Sequence, residues 1–307
     1  MRYLTKFNSR SALIFSSLAL ALSLSTHINA SELPPNIEPD AWELTLEDQF
    51  DGDNLNTLIW SKAPEWSRQD GTGRWSNDDS YLDGNGHLII NIRNDNGIIK
   101  SGAIRTSGKF KQKYGYFEIR AIAPAIKGAW TAFWLMPAGG NKPGNTGNDG
   151  TEIDIMETIN GDKGKINHAL HWDGYGDQHQ SKSFSLSRPN LYDGKFHDFA
   201  LQWNENEYVF YIDDVETWRT SAGNVSDVAQ YMKITAETAA WAGNIFSENL
   251  PQQWKIDRVR VYKVKTATQN PLDSDNDGFL DSEEIANGWD PLDPQSPPYS
   301  TQGRNHL

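Results

Sequence analysis

Short apolar segments separated by turn residues fill most of the chain and constrain its fold. They alternate apolar and polar side chains or run wholly apolar over residues 88–92, 116–120, 196–203, 208–212 and 256–262. Gly, Asn and Asp separate them at residues 83–86, 96–97, 204–206 and 213–214. No long helical periodicity precedes residue 280. Many short strands joined by turns predict an all-β, antiparallel sandwich.

Charge and composition narrow the class of partner. The chain has 307 residues, a net charge of −13 and no cysteine, so no disulfide contributes to its stability. The negative charge argues against nucleic acid or an anionic membrane as partner. It also disfavours a heavily sulfated substrate, unless basic side chains cluster in a cleft. Twelve Trp, eleven Tyr and twelve Phe suit both core packing and a carbohydrate cleft.

The N-terminus has the pattern of a secretory signal. Arg2, Lys6 and Arg10 precede an apolar run over residues 12–24, and Ala30 ends a cleavage-type sequence. The run is short for a membrane anchor, which is the alternative interpretation. We therefore expect a signal peptide over residues 1–30 and an exported protein, secreted or held at the cell surface or in the periplasm.

Three further divisions follow from composition. A Pro-containing leader is expected over residues 31–41, and the β domain over residues 42–264. An acidic tail occupies residues 265–307.

Three carboxylates occur in one apolar run. Side chains two apart share a face of a strand, so Glu152 and Asp154 point the same way, and Ile153 points the other way. Glu157 is out of phase with the first two acids, and a bulge near Ile155 or Met156 would realign it. Like charges on one face predict that at least one pKa is raised.

Paired carboxylates of this kind suit glycoside hydrolysis, in which one acts as an acid and the other as a base or nucleophile. The spacing alone is equally compatible with an acidic, solvent-exposed strand face.

The tail contains a calcium-loop pattern over residues 273–284. Gly278 allows the sharp turn, and a short helix is expected over residues 282–287, ending at Gly288. The segment resembles a bacterial thrombospondin type 3 repeat; an acidic disordered linker is the alternative. The predicted oxygen ligands are Asp273, Asp275, Asp277, the Phe279 carbonyl, Asp281 and Glu284.

Several motifs, in order, resemble glycoside hydrolase family 16 across residues 42–264. The carboxylate run at residues 152–157 is similar to the family's bulged catalytic signature, the form found in its laminarinase and agarase branches. Other matching segments are residues 46–52, 114–120, 128–137 and 257–262. The resemblance implies a concanavalin-like β-jelly roll sandwich of two antiparallel sheets with a substrate cleft.

The resemblance also implies roles for individual residues. Glu152 would be the nucleophile, Glu157 the general acid/base, and Asp154 would orient and tune Glu152. A structural calcium would use Glu47 and Asp257, although either could be an ordinary exposed acid. The substrate-binding candidates are Trp130, Trp134, His171, Trp241, Trp75 and Asn77.

Other cleft candidates have competing interpretations. The tryptophans could instead be core residues. His168 has the opposite parity to His171 and is interpreted as structural. Arg105 is interpreted as a surface strand residue rather than a sugar contact.

These patterns together predict a secreted, monomeric, endo-acting retaining hydrolase without a catalytic cofactor. Its expected substrate is a β-1,3- or mixed-linkage β-1,3-1,4-glucan, since no strong basic cluster marks a sulfate pocket. Red-algal galactans (agarose, porphyran or carrageenan) are the first alternative. A transglycosylase and a non-catalytic glycan-binding module remain further alternatives.

Overall fold

The structure is a computed structural model that describes residues 38–68, 71–137, 150–159, 164–265, 274, 279, 281–293 and 295. The predicted signal peptide, most of the leader and the tail ligands Asp273, Asp275 and Asp277 lie outside the described residues.

Two stacked sheets form the domain, as predicted. The larger sheet contains β1 (Trp42–Asp48), β3 (Arg74–Trp75), β4 (Ser80–Leu82), β5 (Leu88–Asp95), β6 (Ile98–Ser101), β8 (Gly115–Ile122), β13 (His197–Trp203), β14 (Tyr208–Ile212), β15 (Val215–Thr220) and β17 (Gln252–Val264). The smaller contains β2 (Ser61–Lys62), β7 (Ala103–Arg105), β9 (Ala129–Pro137), β10 (Glu152–Ile159), β11 (Lys165–Trp172), β12 (Gln180–Ser187) and β16 (Gln230–Thr238).

The strand order places the carboxylate strand inside the smaller sheet, which runs β12-β11-β10-β9-β16-β7-β2. The larger sheet runs β15-β14-β13-β8-β17-β5-β6-β3, with β1 also paired to β17 and β4 to β5. All pairs between these strands are antiparallel except β3 with β6.

Two of the predicted turns have the backbone geometry that tight hairpins require. Asn96 and Gly97 join β5 to β6 with φ values of 54° and 89°. Asp213 and Asp214 join β14 to β15 with φ values of 48° and 62°. Two successive residues with positive φ match the twist of adjacent strands, which explains why Asn, Asp and Gly occupy these positions.

The core lies between the sheets and leaves one face of the smaller sheet available for a site. Phe133, Ile153 and Ile234 on the smaller sheet pack in the same buried cluster as Phe117 and Ile119 of the larger one. Because side chains alternate along a strand, the intervening residues of β9, β10 and β16 point away from the core. Those outward positions carry the charged and aromatic residues described below.

A short helix lies in the tail, where the sequence predicts one. α1 (Asp281–Asn287) is followed by Gly288, whose φ is 74°. A left-handed glycine after the last turn is a common helix terminator. In the part of the chain that the structure describes, no helix is both long and apolar enough to span a bilayer.

Candidate active site

The predicted bulge is present in β10. The pairing register with β11 shifts between Asp154 and Glu157, and the register with β9 shifts between Asp154 and Met156. Ile155 and Met156 are both fully buried, so the extra residue is accommodated on the core side. Glu157 is thereby returned to the outer face, where it lines one cleft with Glu152 and Asp154.

Register rows across the smaller sheet lay out the walls and floor of this cleft. One row reads Asp154, Trp134, Lys233, Arg105 on β10, β9, β16 and β7. The next row contains Glu157, Ala132, Thr235 and Ala103, and every residue in it except Glu157 has a small side chain. A third contains Trp130 and Glu237. The small residues therefore form a groove floor between two rows of larger side chains.

The cleft encloses about 770 Å³. Its lining combines acids, bases and aromatic rings from strands and loops distant in sequence. The lining residues are Ala63, Pro64, Trp66, Arg68, Trp75, Arg105, Trp130, Ala132, Trp134, Met136, Glu152, Asp154, Glu157, His171, Tyr175, Tyr231, Lys233, Thr235 and Glu237.

All three carboxylates of the triplet have raised pKa values. Burial and the neighbouring Asp154 charge raise the pKa of Glu152 well above its usual value. Burial raises the pKa of Asp154 to about 7, with Glu237 adding to the rise and Lys233 opposing it. Burial, assisted by Asp154, raises the pKa of Glu157 to about 8. Glu157 can therefore hold a proton near neutral pH, as a general acid must.

Glu157 is oriented from the neighbouring strand. Asn167 Nδ2 on β11 donates to Glu157 Oε2 at 2.7 Å. Ser185 Oγ on β12 in turn donates to Asn167 Oδ1 at 2.7 Å, which fixes the amide orientation. The carboxyl group is thus held by a chain of two hydrogen bonds that crosses two strands.

A second polar group lies beside Glu152 and Asp154. Tyr175 Oη donates to Glu152 Oε2. His171 Nε2 is 3.4 Å from Asp154 Oδ2, and His171 Nδ1 is 2.9 Å from His179 Nε2. A neutral His171 that presents its Nε2–H to Asp154 accepts a hydrogen bond at Nδ1 from His179.

Aromatic rings and cations line the arm of the cleft away from β11. The rings of Trp130 and Trp241 contact each other at a tilt of 40°, with centroids 4.8 Å apart. The Arg68 guanidinium lies 4.9 Å from the Trp130 ring and pairs with Glu237 at 2.8 Å. Lys233 Nζ lies 3.6 Å from the centroid of the Trp134 ring. These faces offer stacking surfaces for apolar sugar faces.

The structure brings most of the sequence-predicted substrate residues together. Trp75, Trp130, Trp134 and His171 line the cleft. Trp241 is 56% exposed and stands at the rim against Trp130. Asn77 is exposed and lies outside the residues that line the cleft.

His168, which the sequence indicates is a structural residue on the surface or in the core, is fully buried. The interpretation of Arg105 as a surface strand residue is wrong, because it is half-buried and lines the cleft. Its position on β7 opposite Lys233 turns it into the groove.

Sequence reasoning missed several cleft residues. Asn167 shares the strand parity of His171, which is a signal that could have found it. Tyr231, Lys233, Thr235 and Glu237 alternate along β16 with the core residues Met232, Ile234 and Ala236, and this alternation is also visible in the sequence. Trp66, Arg68, Tyr175 and His179 come from loops, for which strand periodicity gives no signal.

The candidate metal ligands fall in two places. Glu47 Oε1 accepts from Arg260 Nε at 2.7 Å, and Asp257 lies 3.6 Å from Arg120 and 3.5 Å from Arg258. A cation at either acid would compete with these arginines.

In the tail, Glu284 is buried on α1, and the six predicted donors are all oxygens, which fit calcium. Within the described ranges, the group of three acid or histidine side chains close enough to share a metal is Glu152, Asp154 and His171, whose ligand atoms lie within 4.8 Å of one another.

Comparison with known families is decisive for the domain. Residues 68–261 match the family model "Glycosyl hydrolases family 16". The chain belongs to glycosyl hydrolase family 16. Residues 273–294 match the bacterial thrombospondin type 3 repeat, in agreement with the resemblance of the tail.

Relatives within family 16 differ in their named substrates. The chain is 28% identical over 259 residues to a keratan-sulfate endo-1,4-beta-galactosidase of Sphingobacterium multivorum, covering 76% of this chain and 58% of that protein. It is 26% identical over 249 residues to a beta-glucanase of Rhodothermus marinus, covering 72% and 85% respectively.

Among solved structures, the catalytic domain of an endo-1,3-beta-glucanase (laminarinase) from Thermotoga petrophila matches with a TM-score of 0.60 and 26% identity. That match covers 73% of this chain and 98% of the other. The first three curated relatives are longer proteins, of which the chain spans 58%, 33% and 33%.

Proposed function

We propose that this family 16 glycosidase is an exported, endo-acting, retaining hydrolase of a β-linked polysaccharide. The observation that carries the proposal is the bulged strand, which presents Glu152, Asp154 and Glu157 together in an aromatic cleft. An endo mode of action is supported by lining residues on β11, β10, β9, β16 and β7, which give the groove length across the sheet.

The proposed reaction is a double displacement. Glu152, as the carboxylate, attacks the anomeric carbon while Glu157 donates its proton to the departing glycosidic oxygen. A glycosyl ester on Glu152 results. Glu157, now ionised, takes a proton from water, which attacks the same carbon and releases Glu152. The two inversions give net retention of anomeric configuration.

Neighbouring side chains would position the two glutamates and tune their pKa values in this reaction. Tyr175 holds one oxygen of Glu152, and Asn167 holds one oxygen of Glu157. Asp154 lies beside the nucleophile and raises its pKa. Asp154 would take up the proton that Glu152 releases on ionising and would return it when Glu152 is protonated again. The contact between His171 and Asp154 would stabilise the Asp154 carboxylate.

The first candidate substrate is β-1,3-glucan or mixed-linkage β-1,3-1,4-glucan. Several relatives carry names of this activity, including the endo-1,3-1,4-beta-glycanase EglC of Rhizobium meliloti at 31% identity over 165 residues. The second candidate is a galactan. It is favoured by the similarity to the keratan-sulfate endo-1,4-beta-galactosidase and by the basic residues that line the cleft.

Product analysis on laminarin, lichenan, agarose, porphyran and carrageenan tests the proposal. We expect rapid loss of polymer length on at least one of them, and proton NMR should show the product's β-anomer first. First appearance of the α-anomer would contradict double displacement. Activity on a galactan and on neither glucan would replace the first candidate with the second.

Three accompanying features belong to the same proposal. Export rests on the signal-like residues 1–30, and action as a monomer on the completeness of the cleft within one chain. Calcium in the tail rests on the oxygen donors of residues 273–284 and the family match there. We assign that calcium no part in the bond cleavage.

A further inference from the structure

Two cations face each other directly across neighbouring strands at one end of the cleft. Lys233 on β16 is the register partner of Arg105 on β7, and both side chains line the cleft. Directly opposed like charges on one face of a sheet destabilise the pairing. Such an arrangement calls for a compensating negative charge.

Arg105 has no such compensation from the protein. Its guanidinium contacts the Tyr231 hydroxyl, which is neutral, and its Nε is buried without a hydrogen-bond partner. Among the residues that the structure describes, no carboxylate lies within ion-pair distance of the Arg105 side chain. A buried, unsatisfied donor of this kind is costly unless something else fills the position.

Lys233 is a second cation without a direct ion pair in the described part of the chain. Its ammonium lies over the ring of Trp134 at 3.6 Å and near that of Trp75 at 4.9 Å. Burial, assisted by the charge of Arg105 and opposed by Glu237, Glu152 and Asp154, lowers the pKa of Lys233 to about 8. The nearby acids therefore act on Lys233 at longer range.

The remaining cation of the cleft differs from this pair. Arg68 is paired with Glu237 at 2.8 Å. Lys233 opposes the raised pKa of both Asp154 and Glu237. Charge compensation by these acids therefore accounts for Lys233 in part, whereas Arg105 has no carboxylate within ion-pair distance among the described residues.

From this geometry we propose that Arg105 and Lys233 form a subsite for an oxyanion substituent, a sulfate ester or a carboxylate, on the bound glycan. The Arg105 fork would bind two oxygens of the group, and Lys233 would provide a point charge on its other side. The Tyr231 hydroxyl completes a polar rim. The inference rests on the proposed hydrolase function, and for its substrate it favours an anionic glycan over the neutral β-glucan that is the first candidate above.

The subsite lies away from the bond that is cleaved. Arg105 is three strands from β10 in the row that begins with Asp154. At about 4.8 Å per strand this is roughly 14 Å. The anionic group would therefore sit on a sugar beyond the one attacked, and would contribute to recognition without entering the chemistry.

Binding by an inactive variant tests the subsite independently of turnover. The Glu152→Gln protein is compared with the double variants that add Arg105→Gln or Lys62→Gln. Lys62 is a control, because it lies on the adjacent strand β2, is exposed and does not line the cleft. The ligands are size-matched chains from laminarin, sulfated laminarin, carboxymethyl laminarin, κ-carrageenan and desulfated κ-carrageenan, measured by calorimetry at one ionic strength.

We expect Glu152→Gln to bind an anionic chain about tenfold more tightly than its neutral counterpart on at least one backbone. Arg105→Gln should abolish this preference while binding to the neutral chain persists, which also shows that the variant is folded. Lys62→Gln should retain the preference. If sulfated chains bind more tightly than neutral chains and carboxymethyl chains do not, the group that the subsite binds is a sulfate ester.

Equal binding of anionic and neutral chains on both backbones would overturn the inference, as would a preference that survives Arg105→Gln. The proposed hydrolysis is tested separately with the wild-type protein. Hydrolysis of neutral laminarin without any Arg105-dependent anion preference would contradict the subsite and support the hydrolase. An Arg105-dependent preference without hydrolysis of any chain would support the subsite and contradict the hydrolase.

Discussion

At the scale of single residues, the three acids share a cleft but differ in their partners. Glu157 accepts from Asn167, Glu152 accepts from Tyr175, and Asp154 faces His171. Burial is the largest cause of the raised pKa in each case. Different hydrogen-bond partners around similar groups are what allow one carboxyl to act as an acid and another as a nucleophile.

The basic side of the pH profile should report Glu157. Its pKa is raised to about 8, so the protonated form that acts as the acid is lost as pH rises through that value. We expect kcat/KM for a polysaccharide to fall above about pH 8. With an aryl glycoside whose leaving group needs no proton, this fall should disappear. An identical basic limb on both substrates would contradict the role of Glu157.

Tyr175→Phe should impair the nucleophile. The lost hydrogen bond favours ionised Glu152, so its removal raises the Glu152 pKa and moves the acidic limb of kcat/KM to higher pH. We expect a loss in kcat/KM on the order of tenfold, from the typical strength of a hydrogen bond to a charged group. Tyr81→Phe is the control, because Tyr81 lies outside the cleft lining. An unshifted acidic limb would argue against this contact.

At the scale of single elements, the bulge of β10 is the feature that makes the site. His168 supports it from the core side, since His168 Nδ1 lies 2.6 Å from the carbonyl oxygen of Ile155 and Nε2 lies 3.0 Å from Thr217 Oγ1. The Nδ1–H donates to that carbonyl, which the bulge removes from the regular ladder. A buried histidine thus satisfies a backbone group within β10, the strand that carries the three acids.

The burial of His168 should make stability depend on acid. Burial lowers the pKa of His168 to about 4, below its usual 6.5. The unfolded chain binds the proton more tightly, so the contribution of neutral His168 to the free energy of unfolding is present above pH 6.5 and is lost as pH falls toward 4. The difference between the two pKa values corresponds to about 3 kcal/mol of unfolding free energy.

Urea unfolding across this range should therefore show a steeper loss for the wild type than for His168→Gln, which cannot titrate. Parallel curves for the two proteins would contradict the buried neutral histidine.

Strand parity explains which parts of the site could be predicted from the sequence. The phase error of Glu157 predicts a bulge, and the register shift confirms it. The interpretation of Arg105 as a surface residue fails because its exposure depends on pairing with Lys233, about 130 residues away, and pairing register is a property of the folded sheet. Tyr175 and His179 lie in a loop, where period-two patterns carry no information.

At the scale of the whole molecule, one face of the smaller sheet packs in the core and the other face lines the cleft. Ile153, Phe133 and Ile234 face the core, and the alternate positions build the cleft. Trp66 and Glu237, at opposite ends of the domain sequence, line the same groove. The sandwich class follows from local strand and turn patterns, but the meeting of such distant residues follows from the strand order.

The tail adds a prediction of its own. If residues 273–284 bind calcium, Glu284→Gln removes the bidentate ligand at the twelfth position of the loop. We expect the full chain to bind calcium at the tail and Glu284→Gln to weaken that site at least about tenfold. Glu283→Gln, one residue away, serves as the matched control. Equal calcium affinity for the two variants, measured by calorimetry, would contradict the loop assignment.

The most direct test of the catalytic assignment is to trap the covalent intermediate. The reagent is a 2-deoxy-2-fluoro aryl glycoside whose sugar is taken from the polysaccharide that the protein cleaves. It should inactivate the protein and leave its sugar attached to Glu152. Mass spectrometry of the labelled peptide identifies the residue. Glu157→Gln should still form this ester when the leaving group is activated, because that step then needs no acid. Attachment to Asp154 or Glu157 in place of Glu152 would contradict the account.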